Sequence, residues 1–217
     1  MKMHHLGKNN SILQVFVDEL RNEALQKDRM RFRKNIERIG EILAYEFSKT
    51  TTYQKQEIQT PLAKTNSFVF KEQPVICSIL RAGIALHHGV LSYLDQADNA
   101  FISAYRKMHE NGHDFHIEVE YLATPKINQR ILIIADPMLA TGNSIWEVYQ
   151  TLTKKEQPKE IQIFAIVAAP EGIAFLKTKL SENTHLWIAK IDEGLNQKAY
   201  ILPGLGDAGD LAYGEKL

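Results

Sequence analysis

Residues 131–144 read ILIIADPMLATGNS. Ile131 to Ala135 are apolar without alternation, the pattern of a strand buried on both faces. Asp136 ends the run, Gly142 lies in the turn that follows, and a helix is predicted to begin near Ser144. A turn of this kind presents backbone N–H groups, and a helix start adds partial positive charge. Together they make an anion site of phosphate size. Thr141 and Ser144 add hydroxyl donors, and Asp136 is placed to accept hydrogen bonds from sugar hydroxyls. The plainer alternative is a strand–turn–helix capped by Ser144. No lysine follows Gly142, which excludes a Walker A loop.

Strand-like apolar runs recur at 75–80, 100–104, 161–168 and 186–191, and helix-length amphipathic runs at 82–94, 144–154 and 171–180. Continuous apolar strands separated by helices predict a parallel sheet covered on both faces. Ligands of such sheets bind outside the carboxyl ends of the strands, here the turns after Leu80, Ala104 and Ala135. Arg81 follows the first of these strands directly, with Ala82-Gly83 allowing a tight turn. Tyr105-Arg106 repeats the arrangement after the second. A guanidinium at a strand end suits bidentate binding of phosphate. Upstream, Phe32, Ile36, Ile39, Leu43 and Phe47 form one helical stripe, and residues 12–20 a shorter helix, giving a helical extension over 1–50. Residues 105–130 are polar and then alternating, and are expected to form a hairpin arm. The Gly-rich tail, residues 200–214, looks too short to add a packed layer. Its glycines suggest backbone approaching a small planar ligand.

The 217 residues carry 26 Lys+Arg and 26 Asp+Glu, a net charge of zero. That argues against a nucleic-acid or membrane coat. Hydrophobic residues at 44% are enough for a sizeable core in a single domain, 1–217. One cysteine excludes a disulfide framework and a CxxC zinc site. His109, His113 and His116 lack a carboxylate partner pattern and read as surface residues, so no protein-borne metal site is expected. Gly204, Gly206 and Gly209 match a dinucleotide fingerprint on paper. Only eight residues follow Gly209, too few for the helix, strand and acidic residue that such a site needs. No apolar run is long enough for a membrane span, and the expected setting is cytoplasmic.

Taken in chain order, SILRAG (78–83), YR (105–106), DPMLATGNS (136–144) and PGLGDAGD (203–210) resemble the uracil phosphoribosyltransferase family. The resemblance implies a type I phosphoribosyltransferase-like α/β fold. It also implies transfer of a phosphoribosyl group from 5-phospho-α-D-ribose 1-diphosphate to uracil, giving UMP and diphosphate in pyrimidine salvage. Asp136, Pro137, Met138, Leu139, Ala140, Thr141, Gly142, Asn143 and Ser144 would hold the ribose and its 5-phosphate. Arg81 and Arg106 would hold the diphosphate, and Ile201, Gly206, Asp207 and Ala208 the uracil. Asp207 would also lie near the ribosyl substrate and count, with the two arginines, among the catalytic residues. Mg²⁺ would arrive with the diphosphate substrate. A homo-oligomer, dimer or tetramer, is expected, and neither a nucleic-acid nor a membrane partner is. A non-catalytic nucleotide-binding regulator on the same fold is the alternative. The chain departs from the family at Asn143, Leu211 and Lys107-Met108. The family's glycine at position 143 leads to the expectation of a positive φ there, which Asn tolerates.

Overall fold

The computed structural model describes the backbone of residues 1–108 and 115–216 and the side chains of 1–103 and 120–216. The chain begins with β1 (Lys2–His5), α1 (Ile12–Arg21) and α2 (Arg29–Ser48), then a hairpin of β2 (Tyr53–Gln59) and β3 (Lys64–Phe70). There follow β4 (Val75–Leu80), α3 (Gly83–Tyr93), β5 (Asp98–Met108), β6 (Phe115–Ala123), β7 (Ile131–Ala135), β8 (Met138–Leu139) and α4 (Asn143–Thr153). The last third holds β9 (Glu160–Ala168), α5 (Pro170–Lys179), β10 (Thr184–Ile191), β11 (Gly194–Leu195), β12 (Ile201–Leu202) and α6 (Ala208–Tyr213).

The main sheet has the order β1-β10-β9-β7-β4-β5-β6, with β8 also paired to β9. Its pairings are parallel except β5 with β6. Side chains alternate between two cores, as the period-2 geometry of a strand requires. Ile76, Ile133 and Phe164 face α1, α2 and α3. Cys77, Ile134 and Ile163 face α4 and α5. Both faces are therefore apolar, and this is why these strands read as unbroken hydrophobic runs. Chain order reverses between β4 and β7: β5 lies beside β4 on one side, while β7, β9 and β10 build outward on the other. The crevice at that switch point is where such sheets bind ligands.

Three elements differ from the sequence expectations. The edge strand β1 pairs in parallel with β10, although its four residues KMHH are not an apolar run. His4 stacks on Trp187 with ring centres 3.8 Å apart, and its Nε2 lies 3.0 Å from His185 Nδ1. The β2–β3 hairpin forms a separate sheet with almost every residue exposed, so it carries no buried stripe to be read. The tail, expected to be too short for a further packed layer, adds no layer of its own but contributes Ile201, Leu205, Ala208 and Ala212 to the core that holds α2. The distal part of the expected arm, residues 109–114, and the side chains of Arg106, Lys107, Met108 and His116 lie outside the described residues.

Candidate active site

The carboxyl end of β7 delivers Asp136 into the crevice. Its backbone N–H donates to Phe164 O at 3.1 Å, and the Pro137 carbonyl accepts from the N–H groups of Ile166 and Val167, each at 3.1 Å. Ala169 N–H donates to Leu139 O at 2.9 Å. The segment before the turn is thus bolted to β9. The turn itself has its left-handed residue at Gly142, φ +85°, directly before α4. Asn143 is the first helical residue, so the positive φ expected at 143 lies one position earlier. The glycine is required at 142 because the chain reverses there and a helix must start at once. Trp146 N–H is bonded back to Gly142 O at 3.0 Å and Asn143 N–H to Thr141 Oγ1 at 3.4 Å, so the first turn of α4 keeps the N–H groups of Ser144 and Ile145, two residues that line the crevice, outside its helical ladder. Gly83 brings the neighbouring loop close. A Cβ there would stand 2.6 Å from Ala135 O and 2.9 Å from Ser78 Oγ, so α3 can start beside the end of β7 only with glycine.

Asp136 is 9% exposed and its Oδ1 accepts from Met138 N–H at 3.2 Å. Burial pushes its carboxyl up to about 7, and the Met138 N–H partly offsets this. A carboxyl with a raised pKa is protonated in the fold where the unfolded chain has already lost the proton. The stability it confers is full below about pH 4 and is lost as pH rises through about 7. Measured by denaturant midpoint, the wild-type protein is expected to lose more stability between about pH 5 and pH 8 than Asp136→Asn. Histidines held neutral by burial, such as His4 and His87 at about 4, slope the other way. They are common to both proteins, so the difference isolates Asp136. Equal pH slopes would remove the buried-carboxyl reading.

The tail forms the facing wall. Buried Asp192, at the end of β10, accepts from Gly204 N–H at 3.0 Å and pairs with Arg21 at 2.5 Å. Gln26 Nε2 donates to Leu205 O at 3.3 Å, and Arg33 Nη1 to Ala212 O at 2.7 Å. Asp207 caps α6, accepting from Asp210 N–H at 3.0 Å. The helices of the extension therefore hold the tail against the crevice, and its backbone is positioned rather than loose.

Between these walls lies a cavity of about 440 Å³. The structure brings to it Asp136, Met138, Leu139, Ala140, Thr141, Gly142 and Ser144 from one side, and Ile201, Gly206, Asp207 and Ala208 from the other. Segments far apart in the sequence thus share one space. Pro137 and Asn143 do not line it, and Arg81 stands just outside, next to the lining residue Ala82. The Arg81 guanidinium donates through Nη2 to Asp210 Oδ1 at 2.8 Å and to Gly214 O at 3.0 Å. Arg106 is on β5 opposite Ile117, and its side chain lies outside the described residues. Among the described residues, no group of three or more His, Cys, Asp or Glu is arranged to hold a metal ion.

The sequence reading missed Asp192, Asp210, Tyr200 and Lys216. Asp192 carries the same signal as Asp136, an acid directly after an apolar strand. Asp210 lies inside the PGLGDAGD segment, but its pairing with Arg81 depends on where the tail folds back, and Lys216 carried no local signal.

The model of the uracil phosphoribosyltransferase family matches residues 8–215. A uracil phosphoribosyltransferase of Porphyromonas gingivalis is 48% identical over 217 residues, covering all of both chains. One from Methanococcus vannielii is 40% identical over 213 residues, 96% of this chain and 88% of its own. A solved structure of an Aquifex aeolicus protein superposes with a TM-score of 0.87 at 28% identity, over 99% of each chain. The parallel sheet, the two loops at its switch point and the full-length match agree, and the chain belongs to the uracil phosphoribosyltransferase family.

Proposed function

We propose that this chain transfers the phosphoribosyl group of 5-phospho-α-D-ribose 1-diphosphate to uracil, releasing diphosphate and giving UMP. The observation that carries the reading is that the 136–144 turn and the 201–208 segment wall one cavity. The relatives bearing the enzyme's name span bacteria and archaea, which favours catalysis over a regulator on the same fold.

The roles follow from the chemistry of each group. N–H groups at the start of α4, with the Thr141 and Ser144 hydroxyls, take the 5-phosphate. The Asp136 carboxyl leaves one oxygen for the ribose hydroxyls, since Met138 N–H engages the other. Ile201, Gly206, Asp207 and Ala208 hold the base from the opposite side, so the two reactants are fixed at their far ends and meet in line. Uracil N1 bonds to C1 of the ribose as the C1–oxygen bond to diphosphate breaks, and the N1 proton is released. Arg81, with Arg106, neutralises charge growing on the departing diphosphate. Asp207, and Asp136 once it is ionised above about pH 7, place carboxylates beside the cationic character that develops at C1.

A Mg²⁺ ion fits this arrangement as a companion of the substrate. It needs oxygen ligands and is commonly held by one or two carboxylates plus phosphate oxygens. Asp136 and Asp207 each keep a carboxylate oxygen outside their backbone hydrogen bonds. When bound, the ion would supply further charge neutralisation at the leaving group. No described helix is long and apolar enough to cross a membrane. The proposal includes a cytoplasmic setting, which retains a highly charged sugar diphosphate, and assembly with further copies of the chain.

Base choice tests the reading. Gly206 and Ala208 have no side chain able to read a base edge, so main-chain groups must do so. Uracil presents carbonyl, N–H and carbonyl in sequence, whereas cytosine replaces one carbonyl by an amino group and the N–H by an acceptor. Unpaired buried polar groups cost about 1–3 kcal/mol each, so uracil is expected to be preferred over cytosine by roughly 10²-fold or more in kcat/KM. The assay compares uracil, cytosine, hypoxanthine and orotate with the same diphosphate substrate. Equal consumption of cytosine, or none of uracil, would reject the assignment.

A further inference from the structure

The cavity must accept a sugar carrying three phosphoryl groups, yet the acidic groups on its wall, Asp136 and Asp207, offer it no cation. Arg81 stands outside it with its guanidinium engaged by Asp210 and the Gly214 carbonyl. One cation lines the cavity among the described residues, Lys216, and it has no hydrogen bond or ion pair with any described residue. The chain leading to it is anchored. Arg33 bonds the Ala212 carbonyl, Gly214 N–H donates to Asp210 O at 2.8 Å, and Gly214 O accepts from Arg81. Two residues of extended chain span at most about 7 Å, so the Lys216 backbone lies within that distance of the carbonyl that Arg81 touches. The 5-phosphate has its own place at the start of α4. We infer that Lys216 binds the diphosphate of the substrate, completing with Arg81 a cationic end of the cavity supplied in part by the tail.

The physical logic is that of an exposed ammonium on a flexible stem. Lys216 costs no buried charge before substrate arrives, and it brings three donors to oxygens whose charge rises as the C1–oxygen bond breaks. An exposed lysine also leaves the fold untouched when replaced, which makes the test clean. The inference rests on the phosphoribosyl-transfer reading.

The experiment uses the full chain with Lys216→Gln and Lys216→Arg, in the presence of Mg²⁺. Calorimetric titrations with inorganic diphosphate, ribose 5-phosphate and 5-phospho-α-D-ribose 1-diphosphate are combined with steady-state kinetics. The Gln variant is expected to bind diphosphate and the sugar diphosphate about 10-fold more weakly, the scale of one charge-assisted contact that is partly screened. Ribose 5-phosphate affinity, the KM for uracil and the melting temperature are expected to stay at wild-type values, and the Arg variant is expected to recover most of the loss. Unchanged diphosphate binding in the Gln variant would overturn the inference. So would a loss confined to ribose 5-phosphate, which would put Lys216 at the other phosphate. Failure of the parent reading looks different: wild-type protein would then turn over no uracil at all, whatever the variants do.

Discussion

Arg81→Ala is expected to lower kcat/KM by about 10²-fold or more, the scale found when a donor to developing negative charge is removed. The guanidinium stands at the carboxyl end of β4, beside the switch point of the sheet, and is oriented by Asp210 and the Gly214 carbonyl. This ion pair is about one-third exposed on each side, so its own contribution to stability is on the order of 0–1 kcal/mol. The variant should therefore melt close to wild type while failing to turn over. Arg81→Lys should recover only part of the activity, because an ammonium lacks the planar fork that meets two phosphate oxygens. Steady-state kinetics alongside thermal melts check both halves. Near-wild-type turnover in Arg81→Ala would place the diphosphate elsewhere.

Gly142→Val is expected to be at least as damaging, by a different route. At φ +85° a β-branched residue is strained. Its Cβ would lie 3.0 Å from Phe175 Cδ1, 3.1 Å from Gly172 O and 3.2 Å from Leu176 Cγ. The turn must then move away from α5, and the N–H groups at the start of α4 move with it. A displacement on the order of 1 Å in a positioning element costs about 10²-fold in rate, so kcat/KM should fall by at least that much. Affinity for ribose 5-phosphate should fall with it, because the 5-phosphate is the group this turn would hold. Asn143→Gly, one position on, is expected to keep activity and lose less than about 1 kcal/mol of stability, since position 143 is ordinary helix. A Gly142→Val variant that is folded and binds ribose 5-phosphate like wild type would refute the role of the turn.

The sheet and the identity of its loops were legible along the chain. The runs 75–80 and 131–135 coincide with β4 and β7 because both faces of these strands are buried, and burial on both faces leaves an unbroken apolar signature. Asp136, Thr141, Ser144 and the PGLGDAGD segment stood out for a similar reason: their chemistry is local to a strand end or a short turn. The β1 strand and the β2–β3 hairpin were illegible because an edge strand and an exposed ribbon bury too little to leave a pattern. Tertiary contacts settled the rest. They set the positive φ at Gly142 rather than Asn143, since the start of α4 and the nearness of α5 dictate where the chain reverses. They folded the tail into the core through Ile201, Leu205, Ala208 and Ala212, and pinned it with Asp192, Arg21 and Arg33. They also joined Arg81 to Asp210 and closed the 136–144 turn and the tail around one cavity. The pairing of Arg33 with the Ala212 carbonyl spans 179 positions, and that of Arg81 with Asp210 spans 129. No local periodicity or spacing encodes which distant backbone or carboxylate a side chain will meet.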